Sequence, residues 1–304
     1  MLALVLGLAG CETNGSANSG ATSKYAGNYP IQVVCTTGMV ADIAKNVGGE
    51  HVAVTALMGA GVDPHLYTAS SADVSKLSRA DIILYSGLHL EGKLSELLER
   101  MGSRKPTTAV AGKLPADKII SDTAGAHDPH VWFDVALWSH AAAEGAESLA
   151  AFDPPHAEAY RANLKTYQER LAKLDEYARE QLATVPKERR VLVTAHDAFH
   201  YFGNAYGIEV RGIQGISTTS EAGVRQVREL VDFLVARKIK AVFVETSVSD
   251  QNIRSLLEGA AARGHTVVIG GTLFSDAMGA EGTPDGTYEG MVKHNVDTIV
   301  KALK

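Results

Sequence analysis

Cysteine is nearly missing from this chain: two residues, Cys11 and Cys35, in 304. A disulfide-built scaffold is therefore excluded, and the fold must be held by an apolar core. Lysine and arginine form no cluster, and the net charge is −6. Both features exclude nucleic acid as the partner. Beyond the first residues no run of eighteen apolar side chains occurs, so a spanning helix has no signature. No His-Glu-x-x-His helix and no nucleophile elbow is present, which removes the commonest marks of a hydrolase. What remains is a globular composition, 45% hydrophobic and 21% charged. Its length fits one large domain or two ordinary ones, either able to bury a sizeable core.

The first eleven residues, MLALVLGLAGC, are an apolar run closed by Leu8-Ala9-Gly10-Cys11. A short apolar stretch ending in small residues marks an export signal rather than a membrane span. Its ending resembles a bacterial lipobox, which implies lipidation of Cys11 as the new N-terminus. Residues 12–29, polar and small, read as a flexible tether. Cys35, inside the apolar run from Ile31, then has no partner and reads as a small buried hydrophobe.

The stretch Asp153–Pro186 organises the rest. Tyr160, Leu164, Tyr167, Leu171, Leu174, Ala178, Leu182 and Val185 recur at steps of three and four, one apolar stripe along one helix face. Asp153-Pro154 reads as a cap followed by a first-turn proline, and Pro186 as the stop. A rod of roughly 45 Å follows, longer than a small domain is wide. On either side short apolar runs alternate with helical segments. Strands are expected at Ile31–Thr36, Val52–Met58, Asp81–Ser86 and Thr107–Ala111, then at Arg190–Ala195, Ile208–Gly212, Ala241–Glu245 and Thr266–Ile269. Helices are expected between them, the one at Glu221–Arg237 capped by Thr219 or Ser220, and Tyr288–Leu303 closes the chain. This order predicts an α/β fold of two lobes, residues 30–152 and 187–304. Each is a mostly parallel sheet covered by helices, and the long helix, residues 153–186, joins them. Ligands of open α/β sheets bind outside the carboxyl ends of the strands. Two facing lobes would bring two such edges to one cleft.

Four loops at or beyond predicted strand ends carry the chemistry: Gly61–His65, His127–Asp134, Thr194–Phe199 and Leu273–Gly279. Asp-Pro-His occurs in two of them, at Asp63-Pro64-His65 and Asp128-Pro129-His130. Proline fixes φ and biases its predecessor toward extended backbone, so the next imidazole is held in one direction. The aspartate two places earlier is placed to accept an N–H from the ring. Pre-set imidazoles with no nucleophile nearby suit a metal better than acid–base catalysis. Three imidazoles and one carboxylate match the donors that zinc prefers and that manganese or iron also accepts. Glu245, ending a buried strand toward the expected cleft, is a candidate to support a ligand or bridge the lobes. Trp132 and Phe133 are placed to exclude water.

At these residues the chain resembles the TroA-like metal-binding lipoproteins, the solute-binding components of zinc and manganese ABC transporters (cluster A-I). The likeness runs from about Ile31 to Leu303 and includes Gln214–Ala222 and Thr287–Met291. It implies a metal between two lobes bridged by one helix, with ligands His65, His130, His196 and Asp276. It also implies one transported ion, Zn2+ or Mn2+, and a membrane permease with its ATPase as partners. Location outside the cytoplasm on a lipid anchor follows, on the periplasmic side where an outer membrane exists, as a monomer and not an enzyme. Histidine at position 196, where some members of the family, chiefly manganese binders, carry glutamate, makes the site softer and argues against manganese alone. Only His127 adds a histidine between Pro115 and His130, where zinc-dedicated members carry a histidine-rich loop, which argues against zinc alone. Two other classes compete with this reading: an exported zinc hydrolase, and a surface adhesin, for which no motif is present.

Overall fold

The computed structural model describes Tyr25, residues 27–121 and residues 125–304. The expected export signal, Cys11 and most of the expected tether lie outside these described residues. Tyr25 and Tyr29, expected from sequence to belong to the tether, are fastened down: Tyr25 N–H donates to Phe152 O (3.2 Å) and the Tyr29 hydroxyl to Asp153 (2.7 Å).

The first lobe runs β1 (Ile31–Cys35), α1 (Gly38–Gly48), β2 (Val52–Ala56), α2 (Ser71–Arg79), β3 (Ile82–Tyr85), α3 (Ser95–Gly102) and β4 (Thr107–Ala109). Its four strands form one parallel sheet in the order β2-β1-β3-β4. The chain winds one way from β1 to β2 and the other way to β3, leaving a switch point at the carboxyl end of β1. Thr37 caps α1 by accepting from Val40 N–H, and Ser70 with Asp73 forms a full capping box on α2.

Then come α4 (Val135–Phe152) and α5 (Ala157–Ala183), packed together as a hairpin. Helix α4 is not among the elements expected from sequence. Its buried residues, among them Val135, Trp138, Ala142, Ala146, Leu149 and Phe152, cover a wide arc, and its exposed strip mixes His140 and Glu147 with Ala136 and Ala151, so the stripe is weakly marked in the sequence. Asp134 starts it by accepting from Leu137 N–H (3.0 Å). Gly145 permits the close approach of α1, since a Cβ there would lie 2.8 Å from Ile43 Cγ2.

The long helix has the expected buried stripe, Tyr160, Tyr167, Leu171, Leu174, Ala178 and Leu182. Its start differs: Pro154–His156 form a 3-10 turn, and the Asp153 carboxylate caps nothing. It accepts instead from Tyr160 (2.6 Å), Tyr29 and His156 Nδ1 (2.9 Å), side-chain donors that a local cap reading does not see. α5 is stitched to both halves: Tyr167 donates to Asp42 (2.8 Å) and Asn163 to Val47 O (2.9 Å) on one side, Arg179 to Ala205 O (2.7 Å) on the other.

The second lobe runs β5 (Val191–His196), α6 (His200–Tyr206), β6 (Glu209–Gln214), α7 (Val224–Arg237), β7 (Ala241–Glu245), α8 (Gln251–Ala261), β8 (Val268–Leu273) and α9 (Tyr288–Leu303). β5 pairs with β6 and β7 with β8, both parallel, and β5 lies beside β7. Again the chain reverses direction between two neighbours, here β5 and β7. Neither Thr219 nor Ser220 caps α7. The helix starts later, with Gly223 N–H held by the Gln226 side chain (2.6 Å). β8 lies further along than its apolar run indicates, because Gly270 and Gly271 belong to it and a bulge at Val242/Phe243 resets its register. One apolar core runs from β1 through α4 and α5 into α9, so the lobes share packing rather than merely touching.

Candidate metal centre

Each donor sits where a strand or turn begins or ends. His65 follows β2, His130 leads the 3-10 turn Val131–Phe133, His196 is the last residue of β5, and Asp276 follows β8. All four are buried, with exposures of 4%, 0%, 0% and 1%. One nitrogen or oxygen from each lies within 4.8 Å of all the others. His65 Nε2 is 3.3 Å from His130 Nε2 and 3.8 Å from Asp276 Oδ2. Asp276 Oδ1 is 3.3 Å from His130 Nε2, and Oδ2 is 3.3 Å from His196 Nε2.

Behind the donors stand carboxylates. Asp128 Oδ1 accepts both His130 N–H (3.0 Å) and His130 Nδ1–H (2.8 Å). Glu245 uses its two oxygens separately, Oε1 accepting His196 N–H (2.9 Å) and Oε2 accepting Nδ1–H (2.6 Å). A ring that donates from Nδ1 keeps its lone pair on Nε2, and both Nε2 atoms face the centre. Asp63 behaves differently from expectation. Its Oδ1 accepts the backbone N–H of His65 (2.8 Å), not a ring proton, while Oδ2 accepts the Thr218 hydroxyl (2.6 Å). Trp132 closes one side, its ring centroid 5.3 Å from that of His130 and its Nε1–H donating to Ser275 O (3.1 Å). Phe133 stacks on Phe199 at 4.3 Å.

Electrostatics divides the imidazoles. Burial pulls His65 down to about 4, against the attraction of Asp276, so it is neutral at ordinary pH. Burial also works against a charge on His130, but the Asp128 and Asp276 carboxylates outweigh it and raise the ring to about 9. His196 goes the same way, burial being overcome by Glu245 and Asp276. Asp276 is held well below the usual carboxylate range, its burial outweighed by His196 and His130. These directions mean that a dication entering between the rings would compete with protons at His130 and His196. Nε2 of His196 and both oxygens of Asp276 are buried without a hydrogen-bond partner among the described residues. A buried carboxylate so arranged is costly unless a cation completes it, and three nitrogens with one carboxylate fit zinc or manganese.

His65, His130, His196 and Asp276 thus meet, with Asp128 and Glu245 directly behind two of them. His127 stands apart, exposed and paired with Ser121 Oγ (2.9 Å). Sequence reasoning missed His200, whose Nδ1 lies 3.2 Å from Asp128 Oδ2, and Thr218. His200 carried one usable signal, its place four residues after His196 on the first turn of α6. Thr218 carried none beyond membership of the Gln214–Ala222 stretch.

The family model described as zinc-uptake complex component A, periplasmic, matches residues 33–302. The manganese-binding lipoprotein MntA of Bacillus subtilis (strain 168) is 52% identical over 98% of this chain and 95% of its own length. The zinc-binding protein TroA of Treponema pallidum (strain Nichols) is 48% identical over 93% of this chain and 92% of its own. Its solved structure, described as the periplasmic zinc-binding protein TroA, superposes with a TM-score of 0.88 at 49% identity, covering 90% of this chain and 99% of that one. The chain therefore belongs to the family of zinc-uptake complex component A, whose TroA-like two-lobed fold it shares.

Proposed function

We propose that this chain captures a divalent transition metal, zinc or manganese, outside the cytoplasm and delivers it to an ABC permease driven by its ATPase. His65 and His130 of the first lobe and His196 and Asp276 of the second are its ligands. Asp63, Asp128 and Glu245 stand behind them, and a lipid on Cys11 tethers the monomer to the membrane. The observation that carries this reading is the convergence of four buried donor groups, Asp276 having no other partner among the described residues. Capture is chelation between lobes. The shared core and the stitched helix α5 restrict opening to a small rocking or a loop movement. One relative is named for manganese and another for zinc. On donor chemistry zinc binds at least as tightly as manganese in a test tube, and cellular supply decides between them.

The hydrolase alternative finds no support among the relatives. A catalytic zinc usually has three protein ligands and an open position, whereas four donors converge here. The test is metal analysis of protein purified without added metal, followed by zinc–manganese competition. One ion per chain is expected, and no ion retained at micromolar metal overturns the proposal.

A further inference from the structure

The four donors are not equally well held. The His130 ring is fixed by Asp128 and the His196 ring by Glu245. Asp276 follows Ser275, whose hydroxyl bonds Ser247 (2.9 Å) and whose carbonyl receives Trp132 Nε1–H. His65 has no such support. Among the described residues no carboxylate or carbonyl accepts from its ring. It is held through its backbone N–H, on Asp63 Oδ1. The other oxygen of Asp63 is taken by Thr218, which belongs to the second lobe, 155 residues away in sequence. Thr218 is buried, on the loop between β6 and α7. Gln214 Nε2–H to Ser220 O (3.3 Å) and a Ser217–Thr219 hydroxyl pair (3.0 Å) brace that loop. A braced loop of one lobe therefore grips, through a single carboxylate, the ligand loop of the other.

We infer that Thr218 is a positioning residue that sets how long the ion stays. Resting on the metal-capture reading, it latches Asp63, and so His65, across the cleft. His65 is then the ligand that leaves first, and the bond that must break for it to leave is Thr218 Oγ1–H to Asp63. The other three donors keep their supports while the His65 loop moves, so release needs no disruption of the shared core. The latch adds nothing to the chelating atoms. Its loss therefore appears in the dissociation rate rather than in stoichiometry.

The test is stopped-flow release of zinc into an excess of chromophoric chelator from wild type, Thr218→Val and Thr218→Ser. Valine keeps the shape and loses the hydroxyl, whereas serine keeps the hydroxyl and loses the methyl. Thr218→Val is expected to release zinc about tenfold faster, the low end for a hydrogen bond to a carboxylate. Its association rate should stay close to wild type, and the melting temperature of the ion-free protein should fall by no more than a few degrees, as the loss of one hydrogen bond implies. Thr218→Ser should stay within about twofold. Valine releasing zinc at the wild-type rate, or serine releasing it as fast as valine, overturns the latch alone. A wild-type chain that holds no zinc overturns the metal-capture reading and the latch with it.

Discussion

Glu245 and Asp128 each hold the ring of a proposed ligand histidine, yet they do so with different oxygens, and the difference predicts unequal mutants. Glu245 spends one oxygen on His196 N–H and the other on His196 Nδ1–H. In Glu245→Gln one of those oxygens becomes an NH2. If the amide oxygen stays on the backbone N–H, the NH2 faces Nδ1, which must then accept. The ring proton moves to Nε2, pointing at the metal position, and the ligand is lost unless the amide flips and abandons the backbone. Asp128 uses Oδ1 alone for both bonds to His130, with Oδ2 toward the half-buried His200. Asp128→Asn therefore keeps the His130 tautomer and gives up the charge and the bond from His200. Loss of such a supporting partner typically costs 10–100-fold in metal affinity, roughly 1.4–2.7 kcal/mol. Glu245→Gln should fall at the upper end of that range and Asp128→Asn at or below its lower end. Competition titration of zinc against a chelator of known affinity at pH 7.5 measures both. Equal losses, or a larger loss for Asp128→Asn, would refute the tautomer argument.

Further outcomes follow from the same geometry. Zinc affinity should fall steeply as pH drops, because the ion competes with protons on His130, raised to about 9, and on His196, raised well above its ordinary value. Log affinity measured from pH 5 to 8.5 should keep rising above pH 7, where three ordinary imidazoles would level off; a plateau from pH 7 contradicts the coupling. The raised His130 also stabilises the ion-free fold. That contribution is complete below about pH 6.5 and lost as pH rises through 9, so the urea midpoint of zinc-free protein should decline over that window. His130→Ala should abolish the rise in melting temperature that zinc gives the wild type, read by differential scanning calorimetry. Leu174→Ala, in the buried stripe of α5, should cost about 3 kcal/mol in urea unfolding with or without metal, and an effect below about 1 kcal/mol would deny the helix its role in the shared core.

How much is readable from the chain depends on the range of the interactions. The α5 stripe is legible because helix periodicity is local and its other face is polar. α4 is not, since alanines (Ala136, Ala151) share its exposed strip with His140 and Glu147 and lower the contrast that periodicity needs. The Asp-Pro-His pairs expose His65 and His130 through local backbone chemistry, and Asp128 lies within two residues of its target. The Glu245–His196 and Thr218–Asp63 bonds span 49 and 155 residues, and only the folded chain brings those partners together. Asp153 departs from its expected capping role for the same reason. Its donors Tyr29 and Tyr160 come from beyond the turn that a cap would occupy.

The central claim is a single ion shared by donors from both lobes. A crystal structure of the zinc-loaded protein with anomalous data at the zinc edge tests it most directly. One peak should lie about 2.0–2.2 Å from nitrogens of His65, His130 and His196 and from a carboxylate oxygen of Asp276. A peak bound elsewhere, or one touching ligands of a single lobe, would contradict the account.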